Sequence, residues 1–285
     1  MVKISVVMAY YNRKDQTLET LKSIESSEFK DFEVIIVDDA SVESQRLEEY
    51  VGNYKYEIRL IRINPQEKTW VNPCVAYNAG IKESRGDIIM LQNPEVLHVG
   101  DCLSFVNDNL RVGDWLTFSC YGLGSFKDNI ELSGTKNKYD YILRKQQELM
   151  YSRGDTFGGN AAFHDPQGWV NHITHRTACH YMAAIHKSDL VEKMDGGFYH
   201  GYKDGVCFDD NDFIFRLKHN NMKIKLVDFK VSTPFAVHQY HENVVSLNKK
   251  ELWLKNQVVF FEQMRKINLI HPVIDQLSPN EITII

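Results

Sequence analysis

Short apolar runs rich in β-branched residues, separated by helical patterns, constrain the fold of this chain most strongly. The first two runs are Ile4–Met8 and Val34–Val37, and Leu18, Leu21 and Ile24 recur between them at helical spacing. Runs of this kind are typical of parallel strands that are buried on both faces. The order strand, helix, strand predicts an α/β domain with a mainly parallel sheet, in which ligands bind at the carboxyl ends of the strands.

The same alternation continues along the chain. It predicts a weak helix at Leu47–Val51, a strand at Glu57–Ile63, a helix at Asn72–Glu83, a strand at Ile88–Leu91, a strand at Trp115–Gly122, a helix at Tyr139–Met150, a long polar segment at Gly154–Arg176 and a last helix at Lys249–Asn268. Asn72 is the expected N-cap of the third helix, with Pro73 at its first position. Asn248 and Glu251 are spaced as a capping pair for the last helix.

Composition excludes several classes of protein. With 43% hydrophobic residues the 285-residue chain can build a full core, and a net charge of −5 gives no reason to expect nucleic acid or an anionic membrane as a partner. We expect no transmembrane segment, since no window approaches the roughly 20 apolar residues of a spanning helix, and no export, since the N-terminus runs from Met1 into ISVVMAYYN without a charged n-region and an h-region. The five cysteines are widely spaced and form no C-x-x-C pair, which favours a reducing compartment. We therefore expect a soluble, cytoplasmic protein.

Polar residues follow the predicted strands where ligands should bind. Asp38 and Asp39 end the second strand, and Asn93, Pro94 and Glu95 follow the strand at Ile88–Leu91. Buried adjacent carboxylates are costly unless they bind something, such as the N–H of a nucleobase or the hydroxyls of a ribose. The alternative is a local role, in which Asp39 or Ser41 caps the next helix.

Four stretches together resemble the family 2 glycosyltransferases, which are inverting enzymes of GT-A fold. They are SVVMAYYNR, EVIIVDDAS, AYNAGIKESRGDIIML and GGFYHGYKDGVCFDDNDFIFRL, in the order and spacing of the family, and the resemblance covers roughly residues 3 to 240. It implies a Rossmann-like sheet flanked by helices, a small second sheet and a C-terminal helix. The implied domain is 1–245, divided into a nucleotide-binding half (1–100) and an acceptor and catalytic half (101–245), before a helical extension at 246–285.

The resemblance also assigns roles to individual residues. Ala9 and Tyr11 would surround the nucleotide, Asp39 would bind its base, and Asn72 would be a further base contact. In FDDNDFIFR, Asp210 takes the position of the catalytic base, which accepts the proton of the acceptor hydroxyl. The same acidic run also suits a helix N-terminus, because its charges complement the helix dipole.

The family holds a divalent cation, Mn²⁺ or Mg²⁺, with two aspartates where this chain has Asn93 and Glu95 around Pro94. Glu95 would keep the metal contact, and Asn93 would bind a ribose or a metal-bound water. His238 would return to the metal, with His241 behind it, since Mn²⁺ accepts mixed carboxylate and imidazole ligands. The alternatives are an ordinary strand-to-turn segment and histidines that merely pack.

A histidine-rich segment, HDPQGWVNHITHRTACHYMAAIH, is expected to form the wall for the donor sugar and the acceptor. His180, Asp209 and His241 are further candidates for that wall, and Trp169 would offer a flat face to a sugar ring. Core packing is an equal alternative for Trp169. The histidine spacings match no common zinc pattern.

The function implied by these residues is transfer of a sugar from a nucleotide-diphosphate donor to an acceptor hydroxyl. A UDP-sugar is favoured because a carboxylate at Asp39 suits the uracil N–H, and the acceptor is a glycan, a lipid-linked group or a protein. The alternative function is a catalytically silent binding protein with a decayed metal motif. Nucleotidyltransferases and dinucleotide oxidoreductases are disfavoured, because no Gly-rich phosphate loop follows the first strand.

Overall fold

A computed structural model describes residues 2–152, 168–172, 178–242, 249–267 and 281–285 of the chain. Its helices and strands are β1 (Ile4–Tyr10), α1 (Lys14–Glu25), β2 (Phe32–Asp38), β3 (Glu57–Arg62), α2 (Cys74–Glu83), β4 (Ile88–Gln92), β5 (Val96–Val99), α3 (Cys102–Asn109), β6 (Asp114–Phe118), β7 (Cys120–Gly122), α4 (Phe126–Gly134), α5 (Lys138–Ser152), β8 (Trp169–Asn171), β9 (Met182–His186), α6 (Lys187–Lys193), α7 (Asp209–His219), β10 (Lys223–Val227), β11 (Phe235–His238), α8 (Lys249–Lys266) and β12 (Ile282–Ile284).

Two sheets organise these elements. The larger has the order β12-β10-β6-β9-β4-β1-β2-β3 and the smaller the order β5-β11-β7-β8. In the larger sheet β9 runs antiparallel to β4 and β6, and the other neighbours are parallel. The predicted α/β fold with a mainly parallel sheet and a small second sheet is therefore confirmed.

The larger sheet is buried on both faces. Val6 and Met8 of β1 pack with α1 and α3 in one core layer, whereas Val7 packs in the opposite layer with α2, α7 and α8. Alternate residues of a strand point to opposite faces, so a continuous apolar run is what burial on both faces requires. Within the described residues, no helix combines the length and apolarity needed to cross a bilayer.

Two predicted elements of the chain are wrong in detail. The weak helix at Leu47–Val51 is replaced by turns, with short 3₁₀ segments at Glu43–Gln45 and Val51–Asn53. Leu47 alone of this stretch is fully buried, and Gly52 follows the stretch at once, so too little apolar surface is available to dock a helix.

The predicted strand at Trp115–Gly122 is two strands that belong to different sheets. The chain crosses between the sheets at Ser119, whose N–H donates to the Val227 carbonyl of β10 (3.0 Å) while its own carbonyl accepts from Ala236 N–H of β11 (2.8 Å). A run of strand-forming residues does not reveal that its backbone partners change halfway.

The C-terminal region is more than the predicted helical extension. β12 follows α8 and pairs in parallel with β10 at the edge of the larger sheet. Asn248 of the expected capping pair, and most of the segment Gly154–Arg176, lie outside the described residues.

Helix α2 packs closely against the larger sheet at Gly80. A Cβ atom on Gly80 would lie 2.5 Å from Val7 Cγ1 and 3.1 Å from Val37 Cγ2. Alanine normally stabilises a helix interior relative to glycine by about 0.5–1 kcal/mol. Here overpacking should reverse the sign, and we expect Gly80→Ala to lower the free energy of unfolding by about 1–3 kcal/mol in a denaturant titration.

The matched control for Gly80→Ala is Gly134→Ala in α4, where a Cβ atom would have nothing within 4 Å. This change should be neutral or slightly stabilising. Equal effects of the two substitutions would contradict close packing of α2 on the sheet.

Candidate active site

A cleft of about 550 Å³ opens at the carboxyl ends of β1, β2 and β4. The strand ends are level because Tyr10 pairs with Asp38 in the parallel register of β1 and β2. The predicted residues that line the cleft are Ala9, Tyr11, Asp39, Asn72, Asn93, Glu95, His180, Asp209 and Asp210. Residues far apart in the sequence are thus brought together at the edge where the sequence placed a ligand site.

Asp39 is buried at one end of the cleft. Its carboxylate accepts hydrogen bonds from Trp70 Nε1 (2.9 Å) and from Lys68 Nζ (2.8 Å). Burial raises the pKa of Asp39, and the Lys68 and Trp70 donors offset this effect only in part. The Lys68 ammonium also lies 4.2 Å from the centre of the Tyr11 ring. Within the part of the chain that the structure describes, each Asp39 oxygen accepts one of these bonds, and a carboxylate oxygen can accept a second.

Lys68 and Trp70 are not predicted from the sequence as site residues. Both lie in the connection between β3 and α2, where no periodic pattern marks them. The only signal for them was their proximity to the predicted start of the helix at Asn72. That start shifts by two residues, because α2 begins at Cys74 and the Asn72 side chain accepts a hydrogen bond from Cys74 N–H (2.9 Å).

Asp38 has a local structural role. Its carboxylate accepts from Ser41 N–H (2.8 Å) and pairs with Arg62 (2.7 Å). These bonds close the turn after β2 and compensate the fully buried charge. Asp38 therefore stabilises the turn after β2 rather than capping a helix, and Asp39 faces the cleft.

The turn after β4 presents the residues that stand in place of two aspartates. Val96 N–H donates to the Asn93 carbonyl (3.1 Å), and the Tyr77 hydroxyl donates to Asn93 Oδ1 (2.9 Å). The Asn93 side chain is thus held against α2 at the cleft edge. Gln239 N–H donates to the Glu95 carbonyl (3.0 Å), which ties this turn to the end of β11.

Glu95, His238 and His241 form a compact cluster. Glu95 Oε1 lies 3.4 Å from His238 Nε2 and 3.4 Å from His241 Nε2, and one ligand atom from each residue lies within 4.8 Å of the others. Burial acts to raise the pKa of Glu95, but the two imidazoles outweigh it and the pKa is lowered. One carboxylate and two imidazoles that converge on one point suit a transition metal such as Mn²⁺.

The acidic start of α7 lines the same cleft as Glu95. Asp209 is buried and accepts from Asn72 Nδ2 (2.9 Å), whereas the Asp210 side chain is 39% exposed and has Oδ1 3.6 Å from His180 Nδ1. Partial burial in the cleft raises the pKa of Asp210 to about 6. Burial, reinforced by the charge of Asp210, raises the pKa of Asp209 to about 7.

His180 stands beside these carboxylates as a neutral ring. Burial lowers its pKa to about 4. The ring lies edge-on to Tyr77 and Phe198, with centroids 5.0 and 4.9 Å away. His180 therefore contributes dipole and shape to the cleft wall near Asp210, and no positive charge at neutral pH.

Other residues of the stretch from Gly196 to Leu217 hold α7 in place. The Arg216 guanidinium bonds Asp212 Oδ2 (2.7 Å), the Met194 carbonyl (2.9 Å) and the Gly197 carbonyl (2.9 Å). Gly197 has φ +153°, and a Cβ atom there would lie 2.3 Å from Asn78 Oδ1. The motif therefore fixes the helix that carries Asp209 and Asp210 against the preceding turn.

Trp169 does not face the cleft. It is fully buried in strand β8 of the small sheet, stacked on His172 (4.2 Å between centroids) and edge-on to Tyr121. The structure thus shows the packing role that the sequence left open, because the flat face is already covered. His164 and His175 of the same segment lie outside the described residues.

The fold, with a polar cleft at the carboxyl ends of a mainly parallel sheet, defines a protein of the GT-A class. Residues 5–164, more than half of the chain, match the family described as glycosyl transferase family 2. The chain belongs to that family.

Curated relatives match over part of their length. The chain is 35% identical over 88 residues to the amylovoran biosynthesis glycosyltransferase AmsB of Erwinia amylovora, covering 31% of this chain and 29% of that protein. It is 33% identical over 105 residues to the putative glycosyltransferase EpsE of Bacillus subtilis, covering 36% of this chain and 34% of that one. The chain thus spans about a third of the length of these relatives.

Solved structures share the fold over nearly the whole chain. S. aureus TarS 1–349 in complex with UDP-GlcNAc superposes with a TM-score of 0.56 at 16% identity, covering 93% of this chain and 65% of that one. The mannosyltransferase PcManGT of Pyrobaculum calidifontis, in complex with GDP-Man and Mn²⁺, gives 0.50 at 13% identity, covering 95% and 65%. At these identities the likeness establishes the GT-A fold.

The raised pKa of Asp209 predicts a pH-dependent stability. A carboxyl with a pKa of about 7 in the folded chain and about 4 unfolded opposes folding once it ionises. Its penalty is absent below the unfolded pKa, grows as the pH rises from the unfolded to the folded pKa, and is complete above the folded pKa. Asp209→Asn should therefore stabilise the protein more at about pH 8 than at about pH 5, as measured by urea titration.

Asp204→Asn is the control for this experiment, because Asp204 is exposed and pairs with Lys203 at the surface. It should leave the pH dependence of stability unchanged. A gain from Asp209→Asn that is the same at both pH values would show that the Asp209 charge is not the cause.

Proposed function

We propose that the chain is an inverting glycosyltransferase that moves a sugar from a nucleotide-diphosphate donor to an acceptor hydroxyl. The proposal rests on the combination of side chains at one cleft. A buried carboxylate suited to a nucleobase (Asp39), a cluster suited to a divalent cation (Glu95 with two histidines) and a carboxylate of raised pKa (Asp210) all border it or adjoin it. Membership of the family supports the same reaction.

A UDP-sugar is the proposed donor. The uracil N–H can donate to a free lone pair of Asp39, and the Lys68 ammonium beside it can donate to a uracil carbonyl oxygen. Tyr11 is 45% exposed and offers a ring on which a base can lie. TarS, a structural neighbour, is known in complex with UDP-GlcNAc, whereas PcManGT binds GDP-Man, and guanine also offers N–H donors to a carboxylate.

The proposed cofactor is Mn²⁺ or Mg²⁺, held by Glu95 and His238 with His241 as a third candidate ligand. The two imidazoles favour Mn²⁺, because Mg²⁺ prefers oxygen ligands. A cation bound there would offset the negative charge that develops on the departing diphosphate. Asn93, held by Tyr77, would bind the ribose or a water at the edge of this site.

Asp210 is the proposed general base. Its side chain is exposed to the cleft, and a pKa near 6 makes it more basic than an ordinary carboxylate while leaving it ionised at neutral pH. The acceptor hydroxyl would give its proton to Asp210 as its oxygen attacks the anomeric carbon, and the bond from that carbon to the diphosphate oxygen would break. Asp209 is proposed to stay behind it, bonded to Asn72.

Replacement of Asp210 tests the proposed reaction. Asp210→Asn keeps the shape and removes the basicity, so sugar transfer should fall roughly 10²- to 10⁴-fold while donor affinity stays the same. Slow hydrolysis of a UDP-sugar to water is the first assay, followed by a screen of acceptors. Asp204→Asn, on the surface, should transfer at the wild-type rate.

Wild-type transfer by Asp210→Asn, with loss in Asp209→Asn, would assign the base to the neighbouring carboxylate. If neither substitution lowers transfer, the inverting mechanism with this base is wrong.

Removal of Glu95 tests the metal. Without this carboxylate the two histidines are poor ligands for a hard cation, so Glu95→Ala should abolish the part of UDP affinity that depends on Mn²⁺. Calorimetric titration of UDP with and without Mn²⁺ measures this part directly. Glu242→Ala, which removes an exposed carboxylate next to His241, should retain it. Equal UDP affinity of the wild-type protein in both conditions would refute the metal site.

The second candidate function is a catalytically silent sugar-nucleotide or glycan-binding protein. The observation that favours it is the replacement of the two aspartates by Asn93 and Glu95, which leaves the cation one carboxylate fewer. Metal-independent UDP binding, together with no hydrolysis or transfer from any donor, would support this alternative.

A further inference from the structure

The turn that leads into α7 has an unfavourable backbone. Cys207 has φ +62° and Phe208 has φ +68°, so two consecutive residues with side chains occupy the left-handed region. Such a conformation is strained for a residue with a side chain and persists only where its surroundings enforce it. The next two residues are Asp209 and Asp210, so the conformation of this turn determines the position of their carboxylates.

Helix α8 holds this turn through hydrogen bonds. The Asn256 side chain is 1% exposed, and its Nδ2 donates to the Cys207 carbonyl (2.9 Å). Val206 N–H donates to the Leu252 carbonyl of the same helix (3.2 Å). Gly205 lies so close that a Cβ atom there would be 2.3 Å from Asn256 Oδ1. The backbone of the turn is thus pressed against α8 at the level of Asn256.

Apolar contacts from α8 hold the other half of the turn. The ring of Phe208 is 3% exposed and packs against Trp253 and Phe260, with centroids 5.1 and 5.3 Å away. These contacts anchor the Phe208 side chain, but ring packing alone does not select one backbone conformation at Cys207. A directed hydrogen bond to the Cys207 carbonyl does, because it fixes the orientation of that peptide plane.

Asn256 is unusual among the buried residues of α8. The other two, Phe260 and Met264, are apolar and belong to the core. A buried amide costs free energy unless it is hydrogen-bonded, and an apolar residue at this position would avoid that cost. The bond to Cys207 is therefore what the amide contributes at this position.

We propose that Asn256 is a positioning residue for Asp210. By holding the Cys207 carbonyl, it fixes the left-handed turn from which α7 starts and thereby the place of the Asp210 carboxylate in the cleft. This inference rests on the proposed function, in which Asp210 is the base. Helix α8 lies outside the stretch that resembles the family, and in this proposal it contributes to the reaction by positioning the base.

The test is Asn256→Ala in the full chain. A base displaced by about 1 Å can cost on the order of 10²-fold in rate, so kcat should fall roughly 10- to 100-fold while the affinity for UDP stays within about 2-fold. The acid limb of the pH profile of kcat should move to lower pH, because Asp210 leaves the position in which burial raises its pKa. A merely structural role would lower stability without either change.

Met264→Ala is the matched control on the same helix. Met264 is 1% exposed and lies two turns beyond Asn256. Its truncation should lower the melting temperature at least as much as Asn256→Ala, with kcat and the pH profile unchanged. Equal losses of kcat in both variants, or an unchanged kcat in Asn256→Ala, would overturn the inference.

A double variant tests whether Asn256 acts through the backbone of the turn. Glycine adopts positive φ without steric cost, so Asn256→Ala should cost less in kcat when it is made together with Cys207→Gly than when it is made alone. An identical cost in both backgrounds would show that Asn256 does not act through the turn.

Hydrogen–deuterium exchange separates failure of this inference from failure of the proposed function. Amides of residues 205–210 should exchange faster in Asn256→Ala than in Met264→Ala or the wild-type chain. If no donor is ever turned over but exchange rises in this way, the proposed function fails and the positioning of the turn stands. If exchange does not change, the inference fails whatever the activity.

Discussion

The parallel pairing of β1 with both β2 and β4 is the constraint on which the site depends. It brings the ends of three strands to one level, with Tyr10 opposite Asp38 and Val7 opposite Leu91. β9 then runs antiparallel beside β4, so the residues just before β9, including His180, arrive at the same edge from the opposite direction. Every polar group of the cleft is placed relative to this edge of the sheet.

Several carboxylates lie at this edge, and they differ in their hydrogen-bond partners and in the direction of their pKa shifts. Asp39 has a lysine and an indole N–H, Glu95 has two imidazoles, and Asp209 has the amide of Asn72. Burial raises the pKa of Asp39, Asp209 and Asp210, whereas the pKa of Glu95 is lowered. Charge held at a cost to stability is common at functional sites, and in the proposed function it would be offset by a base N–H, a cation and a hydroxyl proton.

Features that depend on neighbouring residues could be predicted from the sequence, whereas features that depend on partners remote in the sequence could not. The strands Ile4–Tyr10, Phe32–Asp38 and Ile88–Gln92 follow the predicted apolar runs closely, because burial on both faces leaves a continuous signal. The break at Ser119 and the strand Ile282–Ile284 escaped prediction, because each depends on a partner strand remote in the sequence. Trp169 illustrates the same limit, since an aromatic residue reads alike whether it faces a sugar or a core.

The sequence by itself determined the α/β class, the family, and the places along the chain where Asp39, Glu95 and Asp210 stand, because these follow from local periodicity and from short motifs. Only the tertiary structure decided which groups surround them. Lys68 and Trp70 reach Asp39, His241 joins His238 at Glu95, and Asn256 reaches the turn before Asp209. The physical reason is that pKa values and hydrogen bonds depend on distances of a few ångströms between segments, and those distances are set by packing rather than by neighbours in the chain.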